Sequence, residues 1–154
     1  MTEITTSSRR AQVALLRAVA VWAVVGLAAG LFYREFTKAN GHPEGMSGQL
    51  ALAHTHILTL GFIVLLVVLV IERAFAVSRS RLFRWFFWIY NAGVLLTSGM
   101  LVWHGILQVR GVDSSSMIAG IAGLGHMLIG SALVLLLLML RTSIRGAQPA
   151  AVED

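Results

Sequence analysis

Five histidines are the side chains of this sequence best suited to hold a metal ion or a haem. His54, His56, His104 and His126 lie inside long apolar segments, whereas His42 lies in a polar stretch and is assigned no role. An ionisable side chain is costly within a membrane and usually faces the interior of a helical bundle, so each of the four is a functional hypothesis. For any one of them alone, an interhelical hydrogen bond is an equally good explanation.

The two-residue spacing of His54 and His56 limits what they can bind together. Side chains two residues apart on a regular α-helix point about 200° away from each other. The two imidazoles therefore cannot readily share one metal ion. Either they serve two sites on opposite faces of the helix, or one is a ligand and the other forms a hydrogen bond, or the helix is locally broken.

The residues around His126 leave room for a bulky planar group. Ala122, Gly123 and Gly130 lie on the same helical face, at positions i−4, i−3 and i+4. Small residues there remove side-chain volume above and below the imidazole. Haem iron in a helical bundle takes a histidine from each of two facing helices, so this face is suited to haem. Close helix packing uses the same small residues and is the alternative explanation.

The elements that must position these histidines are four apolar segments, each long enough to cross a bilayer, which takes about 20 helical residues. They cover residues 13–32, 50–71, 85–109 and 117–140. Only 12% of the residues are charged, about half the share in a soluble domain, and the mean hydropathy is +0.80. Because the connections are short, the sequence predicts an all-α fold, an up-down bundle of four transmembrane helices.

Basic residues cluster at one side of the predicted bundle, and only Arg34, Lys38 and Arg110 belong to the other side. The positive-inside rule then places both termini in the cytoplasm and predicts a multi-pass protein of the bacterial inner membrane. The net charge of +5 is therefore a topology signal, and no nucleic-acid partner is expected.

The domain boundaries follow from the same segments. We predict a disordered cytoplasmic N-terminus over residues 1–12, a transmembrane domain over 13–141 and a cytoplasmic tail over 142–154. The chain has no cysteine, which excludes disulfides, thiolate metal sites and cysteine nucleophiles.

All four intramembrane histidines fall in one layer near the predicted outer side. At a rise of about 1.5 Å per residue, His54 and His56 lie roughly 6–9 Å below the outer end of their helix. On the same estimate His104 lies roughly 8 Å and His126 roughly 14 Å below the outer ends of theirs. These depths are within the span of one porphyrin, whereas chance would scatter the histidines over both halves.

Arg34, Lys38 and Arg110 sit where haem propionates would emerge at the outer interface. Tyr33, next to Arg34, would close the outer end of such a site by hydrogen bonding. Ordinary anchoring at the membrane interface explains the three basic residues equally well.

Other metals remain alternatives, because three or four imidazoles would also suit copper or zinc. Met100 lies one turn from His104, and Met127 adjoins His126, so a Cu(I) site is one form of this alternative. No carboxylate accompanies the histidines in mid-membrane, which weakens a cation-coupled transport function.

Three sequence motifs resemble those of a family of small, uncharacterised bacterial four-helix membrane proteins. They are Phe-Tyr-Arg-Glu-Phe-Thr-Lys at 32–38, His-Thr-His-Ile-Leu-Thr-Leu-Gly at 54–61 and Gly-Ile-Ala-Gly-Leu-Gly-His at 120–126. The resemblance covers nearly the whole stretch from the first helix to Leu140 and implies the fold but no activity. In that pattern the position of His104 is not generally histidine, which ranks His104 last among the ligands.

The His54-Thr55-His56 motif is also distantly similar to the helix of haem-copper oxidase subunit I whose two histidines hold two haems on opposite faces. That subunit contains three arcs of four helices, and the second helix of each arc supplies ligands. The similarity implies that His54 and His56 are haem ligands and that a homotrimer would equal one oxidase subunit in helix count. The chain lacks the oxidase's adjacent His-His pair and its cross-linked Tyr–His motif, so oxygen reduction is not implied.

Together these features predict a b-type haem protein of the membrane, with His126 and one of His54 or His56 as axial ligands. The other histidine would serve a second haem, a copper ion or a hydrogen bond. Two axial histidines favour electron transfer with an unidentified redox partner, whereas an open axial position permits handling of O2 or NO; whether the protein is an oxidoreductase stays open. The alternatives are a copper- or zinc-binding or transport protein, and a structural or assembly factor without a cofactor.

Overall fold

The computed structural model describes residues 2–113 and 115–146, and their regular structure is entirely helical. The four long helices are α1 (Thr2–Ala39), α2 (Gln49–Phe75), α3 (Leu82–Val109) and α4 (Ser116–Gly146). Each contains a stretch long and apolar enough to cross a membrane. The predicted fold class, four transmembrane helices running up and down, is confirmed.

Large apolar side chains cover the outside of the helices. Val24, Leu27, Val70, Leu95 and Leu137 are between 63% and 68% exposed. Exposed apolar surface spread over every helix is unusual in a soluble monomer, but in a bilayer it is the surface that contacts lipid. The chain is therefore a multi-pass membrane protein.

The helices pack in chain order, α1 against α2, α2 against α3, and α3 against α4. Within the described residues α1 makes no extensive contact with α4, so the helices form an open arc. We call the end at which α1 begins and α4 ends the terminal end, and the opposite end the distal end. Helix α4 meets α2 mainly through Leu65–Phe75, the terminal part of α2. Toward the distal end a cleft separates the two helices.

The terminal half holds the tightly packed core. Leu15, Leu65, Phe86, Tyr90 and Met139 are completely buried there. The rings of Phe86 and Tyr90 pack against each other, with their centroids 5.7 Å apart and their planes tilted by 34°. This core fixes the terminal ends of all four helices against one another.

Helix α1 begins at Thr2, within the segment 1–12 for which the sequence predicts disorder. The hydroxyl of Ser8 donates a hydrogen bond to Oε1 of Glu72 at 2.7 Å, and the amide of Gln12 donates to Ser8 at 3.2 Å. The bond from Ser8 to Glu72 joins this part of α1 to α2. Of the predicted tail, residues 142–146 belong to α4, and 147–154 lie outside the described residues.

The middle of α2 is a π-helix over Ile57–Val64, starting directly after His56. A π-helix has wider turns than an α-helix, is rare, and frequently occurs at functional sites. Neighbouring helices hold it in place: the Tyr90 hydroxyl donates to the Leu60 carbonyl at 2.9 Å, and the Trp22 indole packs against Gly61, where a Cβ would lie 2.6 Å from it.

The distal start of α2 is held against α3. The backbone N–H of Gln49 donates to the side-chain oxygen of Gln108 at 2.9 Å. Gly105 contacts the backbone of Leu50 so closely that a side chain at that position would collide with it. These contacts, together with the π-helix, fix the direction in which His54 and His56 project.

Candidate functional site

The candidate site is the cleft between the distal halves of α2 and α4. It has a volume of about 360 Å³, within the range of small-ligand pockets. Its lining consists of Thr55, His56, Thr59, Leu60, His126 and Ile129. The cleft opens to the outside of the bundle, because the side chain of His126 is exposed.

The two imidazoles of the cleft have the same hydrogen-bonding arrangement. Nδ1 of His56 lies 3.0 Å from the carbonyl oxygen of Leu52, and Nδ1 of His126 lies 3.0 Å from that of Ala122. A carbonyl can only accept, so each bond requires the tautomer in which Nδ1 carries the proton. In that neutral tautomer Nε2 holds the lone pair, on the side of the ring away from the carbonyl. This arrangement is typical of metal-ligating histidines, whose second nitrogen is fixed by a backbone or carboxylate oxygen.

The glycines around His126 divide into two groups. A Cβ added at Gly125 would lie 2.9 Å from the backbone nitrogen of Thr97, so Gly125 permits the close approach of α3. At Gly123 and Gly130 an added Cβ would meet no described atom within 4 Å. Close packing within this chain therefore explains Gly125 but leaves the open space above and below His126 unexplained.

His54 lies on a different face of α2, toward α1, as its two-residue spacing from His56 predicts. Its ring centroid is 6.3 Å from that of Tyr33, with the planes 18° apart, and a Cβ at Gly30 would be 3.8 Å from it. Nδ1 of His54 is buried and has no hydrogen-bond partner among the described residues. The structure thus brings His56 and His126 to one cleft and places His54 at the α1–α2 interface.

His104 lines a separate pocket at the distal surface. That pocket includes Met46, Gln108 and Asp113 and has a volume of about 360 Å³. His104 is not among the residues that line the cleft between α2 and α4. It is therefore placed apart from the pair formed by His56 and His126.

The residues predicted to meet haem propionates lie on the distal surface, outside the cleft lining. Arg34 pairs with Glu35 at 3.6 Å, and the guanidinium of Arg110 lies 5.7 Å from the ring centroid of Phe36. The hydroxyl of Tyr33 bonds both to the carbonyl (3.1 Å) and to the N–H (3.2 Å) of Met46, which holds the α1–α2 loop beside His54.

A metal site with three protein ligands needs three His, Asp or Glu side chains close together. Residues 2–113 and 115–146 contain no such group that could hold a metal ion. A three- or four-imidazole copper or zinc site is thus not assembled by the described part of one chain. An axial pair requires only two imidazoles, which the cleft supplies.

Four residues that line the cleft were not predicted from the sequence: Thr55, Thr59, Leu60 and Ile129. Thr59 and Ile129 lie three residues after His56 and His126, a spacing that places them on the same helical face. That spacing could have identified them. Leu60 lies four residues after His56, which is also a same-face spacing, whereas Thr55 adjoins His56 and had no such signal.

Comparison with known proteins gives a family but no activity. No curated protein and no solved structure matches the chain, so these comparisons do not show the expected similarity to haem-copper oxidase. A family model described as a protein of unknown function (DUF2871) matches residues 13–143. This match confirms the predicted membership in an uncharacterised family: the chain belongs to the DUF2871 family.

Proposed function

We propose that this protein binds b-type haem in the cleft between α2 and α4, with Nε2 of His56 and Nε2 of His126 as the axial ligands. One observation carries the proposal: both imidazoles line the same cleft, and both have Nδ1 bonded to the carbonyl one turn earlier. Two such histidines are pre-oriented, and in the Nδ1–H tautomer each offers the Nε2 lone pair that haem iron requires.

Electron transfer is the activity that fits this pair best. Haem supplies a one-electron couple, and histidines at both axial positions leave no position for a gas to bind. The Nδ1–H bonds make both imidazoles stronger donors, and Leu60 and Ile129 give the cleft an apolar wall. Burial and axial-ligand strength both tune the potential of such a centre. Handling of O2 or NO would require one histidine to dissociate.

The site is incomplete in a single chain, because His126 is exposed and no described atom fills the space beside Gly123 and Gly130. A second copy covering this face would shield the haem from lipid. We therefore propose a homo-oligomer, with a trimer as the form implied by the oxidase similarity. Native mass spectrometry from mild detergent tests this: a clean monomer that retains haem would contradict it.

The first test of haem binding is the visible spectrum of the purified protein, oxidised and dithionite-reduced, with a pyridine haemochrome assay. We expect a Soret band and sharp reduced α and β bands of a six-coordinate b-type haem. A colourless protein from haem-replete cells would overturn the proposal. Elemental analysis would then separate a copper or zinc protein from a structural factor without a cofactor.

We further propose that both termini are cytoplasmic in a bacterial inner membrane, from the excess of arginine at the terminal end. The lack of cysteine makes this directly testable. Ser7→Cys and Ser47→Cys place single thiols at exposed positions at opposite ends. In intact spheroplasts, an impermeable maleimide should label Ser47→Cys only; labelling of Ser7→Cys alone would reverse the orientation.

A further inference from the structure

A second groove lies between α1 and α2 at the terminal end, well away from the histidine cleft. Its volume is about 440 Å³. The lining residues are Arg9, Gln12, Val13 and Leu16 of α1 with Leu69, Val70 and Arg73 of α2. Two arginines thus stand at the membrane-surface end of a groove whose deeper part is apolar.

In the described part of the chain, no carboxylate neutralises the charges of these arginines. Neither Arg9 nor Arg73 forms an ion pair with a side chain in the described part of the chain. The carboxyl group of Glu72, which adjoins Arg73 in the sequence, is completely buried and bonded to Ser8 and Ser78. Glu72 is not among the residues that line the groove, and its oxygens are already bonded, so both guanidinium groups are available to an external anion.

We propose that this groove binds an anionic phospholipid, with the phosphate between Arg9 and Arg73 and an acyl chain along Val13, Leu16 and Val70. Basic pockets between transmembrane helices at the membrane surface are suited to acidic headgroups. Val13, Leu16 and Val70 are between 41% and 63% exposed, so an acyl chain would gain contact with them. A soluble phosphate would use only the arginines, and a peptide would have no reason to follow the groove into the membrane.

The test is native mass spectrometry of the full chain in neutral detergent, with phosphatidylglycerol or phosphatidylcholine of identical acyl chains added. We expect preferential retention of one phosphatidylglycerol per chain. Arg9→Gln with Arg73→Gln should weaken it on the order of 30-fold, from the contribution of two basic residues near a membrane surface.

Two further variants distinguish lipid binding in this groove from general attraction of the lipid to positive surface charge. Arg141→Gln with Arg145→Gln removes the same charge from α4 at the same end and should leave retention within about twofold. Val13→Trp with Val70→Trp fills the groove, keeps both arginines and should abolish the preference.

Equal retention of the two lipids, or an equal loss in the α4 control, would overturn the proposal. So would competition by glycerol phosphate as effective as that by the lipid, which would indicate a phosphate site only. Thermal unfolding followed by circular dichroism checks that each variant is folded. None of these outcomes depends on haem.

Discussion

The two halves of the bundle differ in whether their buried polar atoms form hydrogen bonds. In the terminal half the buried carboxyl group of Glu72 accepts hydrogen bonds from two serine hydroxyls and a backbone N–H. In the distal half three buried polar atoms have no partner among the described residues: His54 Nδ1, Thr97 Oγ1 and Ser98 Oγ. Buried polar atoms are nearly always paired, and exceptions indicate strain or a bound molecule. The Glu72 carboxyl group of the terminal half is thus fully paired, whereas three buried polar atoms of the described distal half are not, and none of these three belongs to a residue that lines the cleft between α2 and α4.

The same contrast holds for packing. The terminal half contains completely buried aromatic rings, such as Phe86 and Tyr90. In the distal half α2 and α4 are separated by a cleft, and one of its histidines faces outward. We therefore expect substitutions in the terminal half to change stability and substitutions in the cleft to change ligand binding.

The largest expected effect is the loss of haem from His126→Ala. Without its imidazole one axial position has no protein ligand, so the haem content per chain should fall roughly tenfold or more. The melting temperature of the haem-free protein should hardly change, because the His126 side chain is exposed. Pyridine haemochrome assay and thermal unfolding measure the two quantities.

His56→Ala should behave in the same way, and His54→Ala is the matched control. His54 is two residues from His56 on the same helix but faces Tyr33 and α1. If His54→Ala abolished the haem and His56→Ala did not, the cleft would be the wrong site.

Glu72→Ala should have the opposite profile, a stability loss without a change in haem ligation. It removes an acceptor of three hydrogen bonds and leaves buried donors unpaired, which costs about 3 kcal/mol or more. For a chain of this size, that corresponds to a fall in melting temperature of about 6–12 °C. A shift in the haem spectrum with no loss of stability would break the proposed separation between the halves.

Gly125→Ala and Gly123→Ala form a pair with opposite expected signs. At Gly125 the new methyl group would lie 2.9 Å from a backbone atom of α3, and such overpacking costs about 1–3 kcal/mol. At Gly123 no described atom lies within 4 Å, and replacing glycine within a helix can gain up to about 1 kcal/mol. Thermal unfolding of the haem-free proteins measures both.

Gly123→Leu sharpens this comparison. If the space beside His126 receives haem, the larger side chain should lower haem content while leaving the stability of the haem-free chain intact. Unchanged haem content would show that the glycine face serves another purpose.

Sequence alone could predict the four spans and the separate directions of His54 and His56, because both follow from local helix geometry and apolar length. It could not predict the π-helix, which is held by tertiary contacts of Trp22 with Gly61 and of Tyr90 with Leu60. The helical start of α1 also depends on a distant partner, Glu72. For the same reason, sequence could not tell which histidine of the pair faces His126.

The smallest expected effect concerns the carbonyl oxygen of Leu52, which accepts from Nδ1 of His56 at 3.0 Å and from the Thr55 hydroxyl at 2.8 Å. In Thr55→Val the imidazole no longer shares this acceptor, so its Nδ1–H bond strengthens and its Nε2 becomes a stronger donor to iron. A stronger donor stabilises oxidised haem, and the midpoint potential should fall by less than about 59 mV, which for one electron equals a factor of ten.

Thr59→Val is the matched control, because it removes a hydroxyl from the same cleft without affecting the Leu52 carbonyl. Lower polarity alone disfavours the more highly charged oxidised centre, so this variant should raise the potential. Spectroelectrochemical titration of both variants therefore distinguishes hydrogen bonding from polarity by sign. Shifts in the same direction would mean that the bond from His56 to Leu52 does not tune the ligand.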